Sequence, residues 1–372
     1  MLPLIRPVFM SVLAASLLCV SACKRHDGGT SAALCYPATK DHPLEDTLAV
    51  DTSGGTFWTF YGNAHFKPFT QHCGVAVHAA VSAHNFAQLR GYVHNHSVPY
   101  DVSYTGSPWE FEEGIKEGLF HRLPDDFWKP LASALLPGSY NAYGTWLSTY
   151  AEVLVYDTRV FAKAPTTWAD LWNTKEFPGP RTLYDHPYML VIALLSDGVP
   201  PDEIYPLTDD KLRRAFGRLD QIRPSVRAFW STGDEPIQGI NRGDFTIGVA
   251  QSGRAVSGIA NHFPIGMSWK QNVLSHAWLF IPEGGQHVVS AEALLAFVNN
   301  AQQQAEFAKN TGYGGGARDI AQFLTPQQSA VVTTSPENLA QSVAINDDWW
   351  RAHGARTARL WQAWVTTGKS GL

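Results

Sequence analysis

The residues best suited to covalent chemistry lie at the start of the chain, at Ala22-Cys23. Arg6 precedes an apolar run from Pro7 to Val20, and small residues then lead to Cys23. The run is too short for a comfortable membrane span, which needs about 20 residues, and its flanks are those of a cleaved export signal. The pattern predicts a lipoprotein signal peptide over 1–22 and a lipidated Cys23, with a plain secretory signal as the alternative. Either way, the folded part works outside the cytoplasm, held to a membrane by lipid in the first case.

Two further cysteines, Cys35 and Cys73, remain in the predicted mature chain. An even pair in an oxidising compartment suggests one disulfide between the amino-terminal arm and the first βα unit. Two unpaired thiols are the alternative. No Cys-x-x-Cys motif is present, so the cysteines do not indicate a zinc site.

Other residue types with catalytic or metal-binding potential lack the necessary pattern. Six histidines fall between His65 and His96, but their spacing does not give one helix face. Only His94-x-His96 has the spacing that would put two of them on one side of a strand. Ser252 is outside any Gly-x-Ser-x-Gly elbow, and no Gly-Lys-Ser/Thr follows Gly312 to Gly316. The sequence therefore predicts neither an enzyme nor a metal or cofactor site.

Composition excludes further classes of function. The net charge is −5 and no basic block occurs, whereas phosphate binding needs clustered Lys and Arg, so a nucleic-acid partner is not expected. Removal of 1–22 leaves 350 residues, more than one hydrophobic core usually organises, which predicts two lobes. Aromatic residues make up 12% of the chain, with 13 Trp, enough for some rings to line a cleft.

Strand and helix patterns alternate along the chain and predict βαβ units on a mostly parallel sheet. Residues 24–50 are polar and Gly-rich and are expected to form a tether. Strands are predicted at 55–61, 100–104, 151–156, 181–184, 245–250 and 278–282. Helices are predicted at 65–72, 81–95, 109–117, 188–195, 209–219, 254–261, 291–310 and 336–365, and a short one begins after Thr167 with Asp170 near its positive end.

Short motifs then occur in a familiar order. They are Trp168-Ala169-Asp170-Leu171-Trp172, Tyr184-Asp185, Gly243-Asp244-Phe245, Gln251-Ser252-Gly253-Arg254-Ala255, Ile281-Pro282, Thr311-Gly312-Tyr313 and Ser335-Pro336-Glu337-Asn338-Leu339. In this order, and together with the predicted lipoprotein signal, the chain resembles the extracellular solute-binding proteins of ABC importers, in particular the spermidine/putrescine-type subgroup. The resemblance runs from about Thr56 to Val365.

The resemblance implies an α/β, two-lobed periplasmic-binding-protein-like fold of type II, each lobe a mixed sheet flanked by helices, with the ligand cleft at the hinge. After the tether at 23–50, lobe one would comprise 51–149 plus 275–309, and lobe two 150–274 plus 310–372. Crossings are expected near Tyr150 to Glu152 and near Leu274 to Ala277. A monomer would take a small solute and deliver it to ABC permease subunits; a sensor or scaffold lipoprotein of the same fold is the alternative.

The resemblance also suggests which residues contact the solute. An acid, Asp185, occupies the position of a carboxylate that meets an ammonium group, although it would equally cap the next helix. The other suggested contacts are Trp58, Tyr61, Ser107, Trp109, Tyr188, Gln251, Ser275 and Tyr313. For Trp58, Tyr61, Trp109 and Tyr313, packing in the protein interior is the competing interpretation.

Departures from the family pattern limit the ligand. Tyr188 and Ala277 replace expected acids, while Gln251 and Ser275 replace expected Trp residues. Because a buried unpaired ammonium costs several kcal/mol, the solute is expected to carry at most one strongly bound positive charge. Substitute acids would have to come from Glu110, Glu152 and Asp234. An anionic solute is the alternative, because Arg254 lies at a predicted helix start, where free backbone N–H groups favour anions.

Overall fold

The computed structural model describes residues 34–82 and 86–372. The predicted signal peptide, the lipidation site at Cys23 and the first part of the tether lie outside these residues. The strands are β1 Thr47–Thr52, β2 Ala76–Val81, β3 Ser103–Thr105, β4 Tyr140–Asn141, β5 Gly144–Asp157, β6 Arg181–Tyr184, β7 Val226–Trp230, β8 Ile247–Gln251, β9 Ile265–Phe280 and β10 Val343–Ala344.

The α-helices within the same residues vary from one turn to six. They are α1 Gly55–Tyr61, α2 Lys67–Cys73, α3 Phe86–His94, α4 Pro108–Lys116, α5 Trp168–Trp172, α6 Met189–Ser196, α7 Asp209–Ile222, α8 Glu235–Arg242, α9 Ser252–Ala260, α10 Val288–Phe297, α11 Ala301–Thr311, α12 Pro326–Ser329, α13 Pro336–Leu339 and α14 Asp347–Thr367. A π-helical turn, Gly62–Phe66, joins α1 to α2. None of these helices is long and apolar enough to cross a membrane.

Two long antiparallel strands, β5 and β9, run through the whole molecule. The main sheet has the order β10-β9-β5-β8-β6-β7, with β3 added to β9 and β4 added to β5, and β1 and β2 form a separate parallel pair. Irregularities in the β5–β9 register fall between Trp146 and Ser148 and between Glu152 and Leu154. Such interruptions bend a strand, so the pair changes direction in its middle.

The hydrophobic cores show where the chain passes between lobes. Leu147 of β5 and Ala277 of β9 pack in one core, whereas Leu154 and Val273 pack in another. The molecule is therefore two-lobed. Strand β5 passes from one lobe to the other between Leu147 and Leu154, and β9 does so between Val273 and Ala277. Tyr150 faces Ser275 between these points.

Lobe two does not resume at residue 310 as predicted. Tyr313 packs in the core of lobe one, and Ala317 pairs with Leu135 in a β-bridge. Residues up to Val332 stay against α11, and the return to lobe two comes at β10, where Val343 pairs with Val273. The segment from Tyr313 to Val332 has no strong apolar run, so the sequence pattern did not indicate that it packs on lobe one.

The amino-terminal part of the fold also differs from the prediction. Residues 55–61, predicted as a buried strand, form helix α1, and strand β1 begins at Thr47, inside the predicted tether. A short apolar run does not distinguish a buried strand from a helix. In α1 the run buries only Trp58 and Tyr61, which are three residues apart and share a helix face.

The amino-terminal arm is joined to the fold by a disulfide between Cys35 and Cys73 at the end of α2. Tyr36 strengthens the attachment, because its hydroxyl donates to the carbonyl of Phe127 at 2.7 Å. Leu34 and Leu44 pack against the core of lobe one. Residues 34–46 are therefore part of the folded domain.

Candidate functional site

A buried carboxyl group lies at the point where the lobes meet. Glu152 of β5 is 0% exposed, and neither of its carboxyl oxygens has a hydrogen-bond partner among the described residues. Burial raises its pKa to about 8, because the charged form is poorly solvated away from water. Its neighbours on the adjacent strands are Gln251 and Val273. An acid in this position is a strong candidate to meet a cationic group of a ligand.

Several tyrosines lie within electrostatic range of this carboxyl group or of one another. Negative charge on Glu152 contributes to raising the pKa of Tyr150, Tyr184 and Tyr313, although burial is the larger cause for each. Tyr188 is close enough to Tyr150 for the same kind of interaction. We call these four residues the tyrosine wall. Aromatic faces attract cations, most strongly when both are desolvated.

One ring of the tyrosine wall is fixed from behind by a tryptophan. Tyr184 stacks on Trp230 with ring centres 4.1 Å apart and planes 12° from parallel. Trp230 donates from Nε1 to the carbonyl of Val249 at 2.8 Å, so its indole is held by β8, the strand beyond β6 in the sheet. The two rings end β6 and β7 at the same edge of the sheet, which is where open α/β sheets bind ligands.

A cationic group also lies near Tyr313. Arg254 in the first turn of α9 contributes to lowering the pKa of Tyr313, whereas Glu152 contributes to raising it. The Nε of Arg254 is buried and has no hydrogen-bond partner among the described residues. Its Nη1 lies 3.3 Å from Oδ1 of Asp234. One phenol, that of Tyr313, is thus influenced by both a carboxyl group and a guanidinium group.

The lobes are in close contact beside Arg254. A Cβ added to Gly253 would lie 2.4 Å from the ring of Tyr313 and 2.6 Å from the carbonyl oxygen of Thr311. Only glycine allows the first turn of α9 in lobe two to approach lobe one so closely. At the hinge itself, Tyr150 donates from its hydroxyl to the carbonyl of Gly106 at 3.0 Å.

Four of the residues suggested by the sequence surround Glu152 and Tyr150. Gln251 pairs with Glu152 across β8 and β5, and the fully buried Ser275 pairs with Tyr150. Tyr188 and Tyr313 belong to the tyrosine wall. These positions remain proposed ligand contacts.

Four other suggested residues lie in lobe one, and the buried hydroxyls of Tyr61 and Ser107 have no hydrogen-bond partner among the described residues. Trp58 donates from Nε1 to Oγ of Ser53 at 3.1 Å, and Tyr61 is buried among aromatic rings of lobe one. Ser107 immediately precedes α4. Trp109 lies against Gly354 of α14.

The side chain of Asp185 is hydrogen-bonded to the carboxy-terminal helix α14. Its Oδ1 accepts from Nε1 of Trp361 at 2.8 Å and from Nε2 of Gln362 at 3.4 Å. It does not cap α6, which has no side-chain cap. Trp361 itself is 0% exposed, so Asp185 satisfies a buried indole N–H, while its charge also contributes to raising the pKa of Tyr184.

Replacing Asp185 with alanine is therefore expected to reduce stability and leave solute affinity unchanged. The free energy of unfolding should fall by about 1–3 kcal/mol, because the buried N–H of Trp361 loses its acceptor. Chemical denaturation and calorimetric titration measure the two quantities. Asp185→Asn keeps an oxygen acceptor and should remain close to the unsubstituted protein. A large loss of affinity in both variants would instead place Asp185 in the solute site.

Residues that the sequence reading did not assign to the site include Trp230, Tyr184 and Tyr150. Trp230 ends β7, a strand that was not predicted. The histidine pattern was also misjudged: His94 ends α3, and His96 follows in a turn with a φ of 50°. No cluster of three or more His, Cys, Asp or Glu suited to a metal ion occurs within 34–82 and 86–372.

Similarity to known proteins identifies the family of this chain. A family model described as bacterial extracellular solute-binding protein matches residues 64–340. The chain belongs to this family. A gamma-aminobutyric acid-binding protein from Pseudomonas aeruginosa is 30% identical to it over 323 residues, which are 86% of this chain and 91% of that protein.

Solved structures of solute-binding proteins agree with this assignment. An ABC transporter substrate-binding protein from Bradyrhizobium japonicum USDA 110 superposes with a TM-score of 0.80 at 26% identity, over 86% of this chain and 99% of that chain. The Atu4243-GABA receptor gives 0.77 at 27% identity, over 86% and 97%. The solute-binding protein described here is thus the extracytoplasmic substrate-binding component of an ABC transporter.

Proposed function

We propose that this solute-binding protein captures a short ω-amino acid, such as gamma-aminobutyric acid (GABA), between its lobes. The main observation behind the proposal is the fully buried Glu152 carboxyl, which has no partner among the described residues. Glu152 and the cationic Arg254 both influence the pKa of Tyr313. An ω-amino acid has one ammonium and one carboxylate at the two ends of a short chain. The GABA-binding relatives support this choice of solute.

The ammonium end would bind at Glu152. Inside the closed site an ammonium group gains an ion pair with the carboxylate and aromatic faces from the tyrosine wall. The carboxylate end would bind at Arg254, whose unpartnered Nε is available as a donor. The ammonium and carboxylate ends of the solute would then both be bound only when the lobes meet. Solute binding would therefore stabilise the closed form.

A polyamine, suggested by the resemblance to the spermidine/putrescine subgroup, is the second candidate. Each amine of a polyamine needs its own acid when desolvated. Of the three candidate acids, Glu110 accepts a hydrogen bond from Thr105 Oγ1 at 2.8 Å, and Asp234 is paired with Arg254. Glu152 alone among them lacks a partner, which favours a solute with one ammonium group.

We also propose that the protein is a monomer anchored through a lipidated Cys23 and that its closed form docks on the permease. Mass spectrometry of the amino-terminal peptide from membranes tests the anchor. A diacylglyceryl-cysteine would support it, and a peptide beginning elsewhere without lipid would contradict it.

Calorimetric titration of the purified protein with GABA, putrescine, butyrate and butylamine tests the solute. GABA should bind with a Kd of about 1 µM or tighter. Butyrate and butylamine each lack one charged end and should bind at least about 30-fold more weakly. Putrescine binding more tightly than GABA would overturn the proposal in favour of a polyamine.

Affinity for GABA should also increase with pH. Protonation of Glu152, whose pKa burial raises to about 8, removes the counter-charge for the ammonium group. The Kd should therefore fall about tenfold for each pH unit from 5.5 to 7.5 and level off near 8.5. Carboxyl and amino groups like those of GABA titrate near pH 4 and 10, outside this range. A flat profile from pH 5.5 to 8.5 would contradict the role of Glu152.

A further inference from the structure

A second contact between the lobes lies between helices α4 and α14. Helix α4 belongs to lobe one, because Phe111 stacks on Trp278 with ring centres 4.2 Å apart. Helix α14 belongs to lobe two, because Trp350 and Trp361 are buried in that core. The contact therefore joins parts of the molecule that must separate or slide when the cleft opens.

The contact contains an ion pair and an apolar patch. Nε of Arg351 lies 2.9 Å from Oε2 of Glu112, with the two side chains 36% and 18% exposed. Gly354, one turn further along α14, faces the side chain of Trp109, and a Cβ there would meet it at 3.5 Å. We call Trp109, Glu112, Arg351 and Gly354 the interlobe clasp.

Acids around the ion pair make Arg351 central to the clasp. Arg351 also contacts Asp348 at 2.6 Å, and Asp347 lies 3.1 Å from Nε2 of His276. Burial raises the pKa of Glu112, and Asp347 and Asp348 add to the effect. Without the guanidinium group, three carboxyl groups at the junction of the lobes would face one another, which disfavours the contact.

We propose that Glu112 and Arg351 are positioning residues that hold the lobes together without contacting the solute, and so set the affinity of the protein. For a solute that binds only the closed form, the apparent Kd equals the intrinsic Kd divided by the fraction of closed molecules. A contact that exists only when α4 meets α14 increases that fraction. This effect of Glu112 and Arg351 on lobe closure does not depend on which solute binds.

Neutral substitutions test the clasp with little risk to folding. Glu112→Gln, Arg351→Gln and the double variant should each weaken binding of GABA by about three- to tenfold, mainly through faster dissociation. The double variant should lose no more than the single variants, since they remove the same ion pair. Arg351→Lys keeps the charge and should recover part of the affinity. The matched control is Arg356→Gln, because Arg356 on the same helix pairs with Asp209 inside lobe two at 2.8 Å.

Small-angle scattering gives a readout that needs no solute. Ligand-free Arg351→Gln should have a larger radius of gyration than the unsubstituted protein, whereas Arg356→Gln should not. If GABA fails to bind the unsubstituted protein, the proposed solute is wrong, and scattering still tests the clasp. Unchanged scattering and unchanged Kd in Arg351→Gln, or additive losses in the double variant, would overturn the inference.

Discussion

Replacing Glu152 with glutamine is expected to abolish GABA binding and, at alkaline pH, to stabilise the ligand-free protein. Loss of a buried counter-ion for an ammonium group costs about 3–5 kcal/mol, which weakens binding more than 100-fold. The stability change has the opposite sign, because burial raises the pKa of Glu152 from 4.5 to about 8. Folding therefore favours the protonated form, and that contribution to stability is complete below pH 4.5 and is lost as the pH rises through 8.

The glutamine variant cannot ionise and keeps its stability across this range. Thermal unfolding should show similar melting temperatures for the two proteins at pH 4.5 and a higher one for Glu152→Gln at pH 9, by a few kcal/mol in free energy. Glu110→Gln is the matched control, because Glu110 is partly buried but is hydrogen-bonded to Thr105. Equal unfolding curves at pH 9 would show that Glu152 is solvated, and retained GABA affinity would place the ammonium group elsewhere.

Replacing Arg254 with glutamine should remove the preference for a zwitterionic solute. The carboxylate of GABA loses its partner, so its affinity should fall about 30- to 100-fold, as for loss of a charged hydrogen bond in a desolvated site. The same substitution frees Asp234, which is held by Arg254 at 3.3 Å. Putrescine, with a second ammonium in place of the carboxylate, should therefore lose less affinity than GABA or gain some.

The ratio of the two dissociation constants, measured by calorimetry, is the deciding quantity. Arg242→Gln is the control, because Arg242 pairs with Asp244 on the surface of α8 at 2.8 Å and should leave the ratio unchanged. A ratio that is also unchanged in Arg254→Gln would assign Arg254 to bracing α9 and remove it from the solute site.

Elements with strong local signals were predictable from the sequence. The cap of α5 is confirmed, since Oδ2 of Asp170 accepts from the backbone N–H of Thr167 at 2.9 Å. The predicted strand at 181–184 is confirmed as β6. Local hydrogen bonding and apolar periodicity determine such elements. The helix predicted at 291–310 was too long, because the chain breaks into α10 and α11, where Asn300 caps the second helix.

The site was less predictable because its partners are distant in the chain. The family resemblance suggests Asp185 as a solute contact, but the sequence does not show its hydrogen bond with Trp361, which follows 176 residues later. Glu152 was named only as one possible substitute acid, since strand polarity alone does not show that Tyr184 and Tyr313 converge on it. Burial of a charge without a partner becomes visible only when the strands are assembled.

The course of β5, β9 and β10 also affects how the chain matures. Strand β3 pairs with residues 278–280 of β9, which come much later in the chain. The edge strand β10 of the main sheet consists of residues 343–344. Neither half of the molecule can finish its sheet until most of the polypeptide is available, so early stable folding is disfavoured. In a chain of this topology, an incomplete polypeptide therefore leaves strand edges unpaired in both lobes.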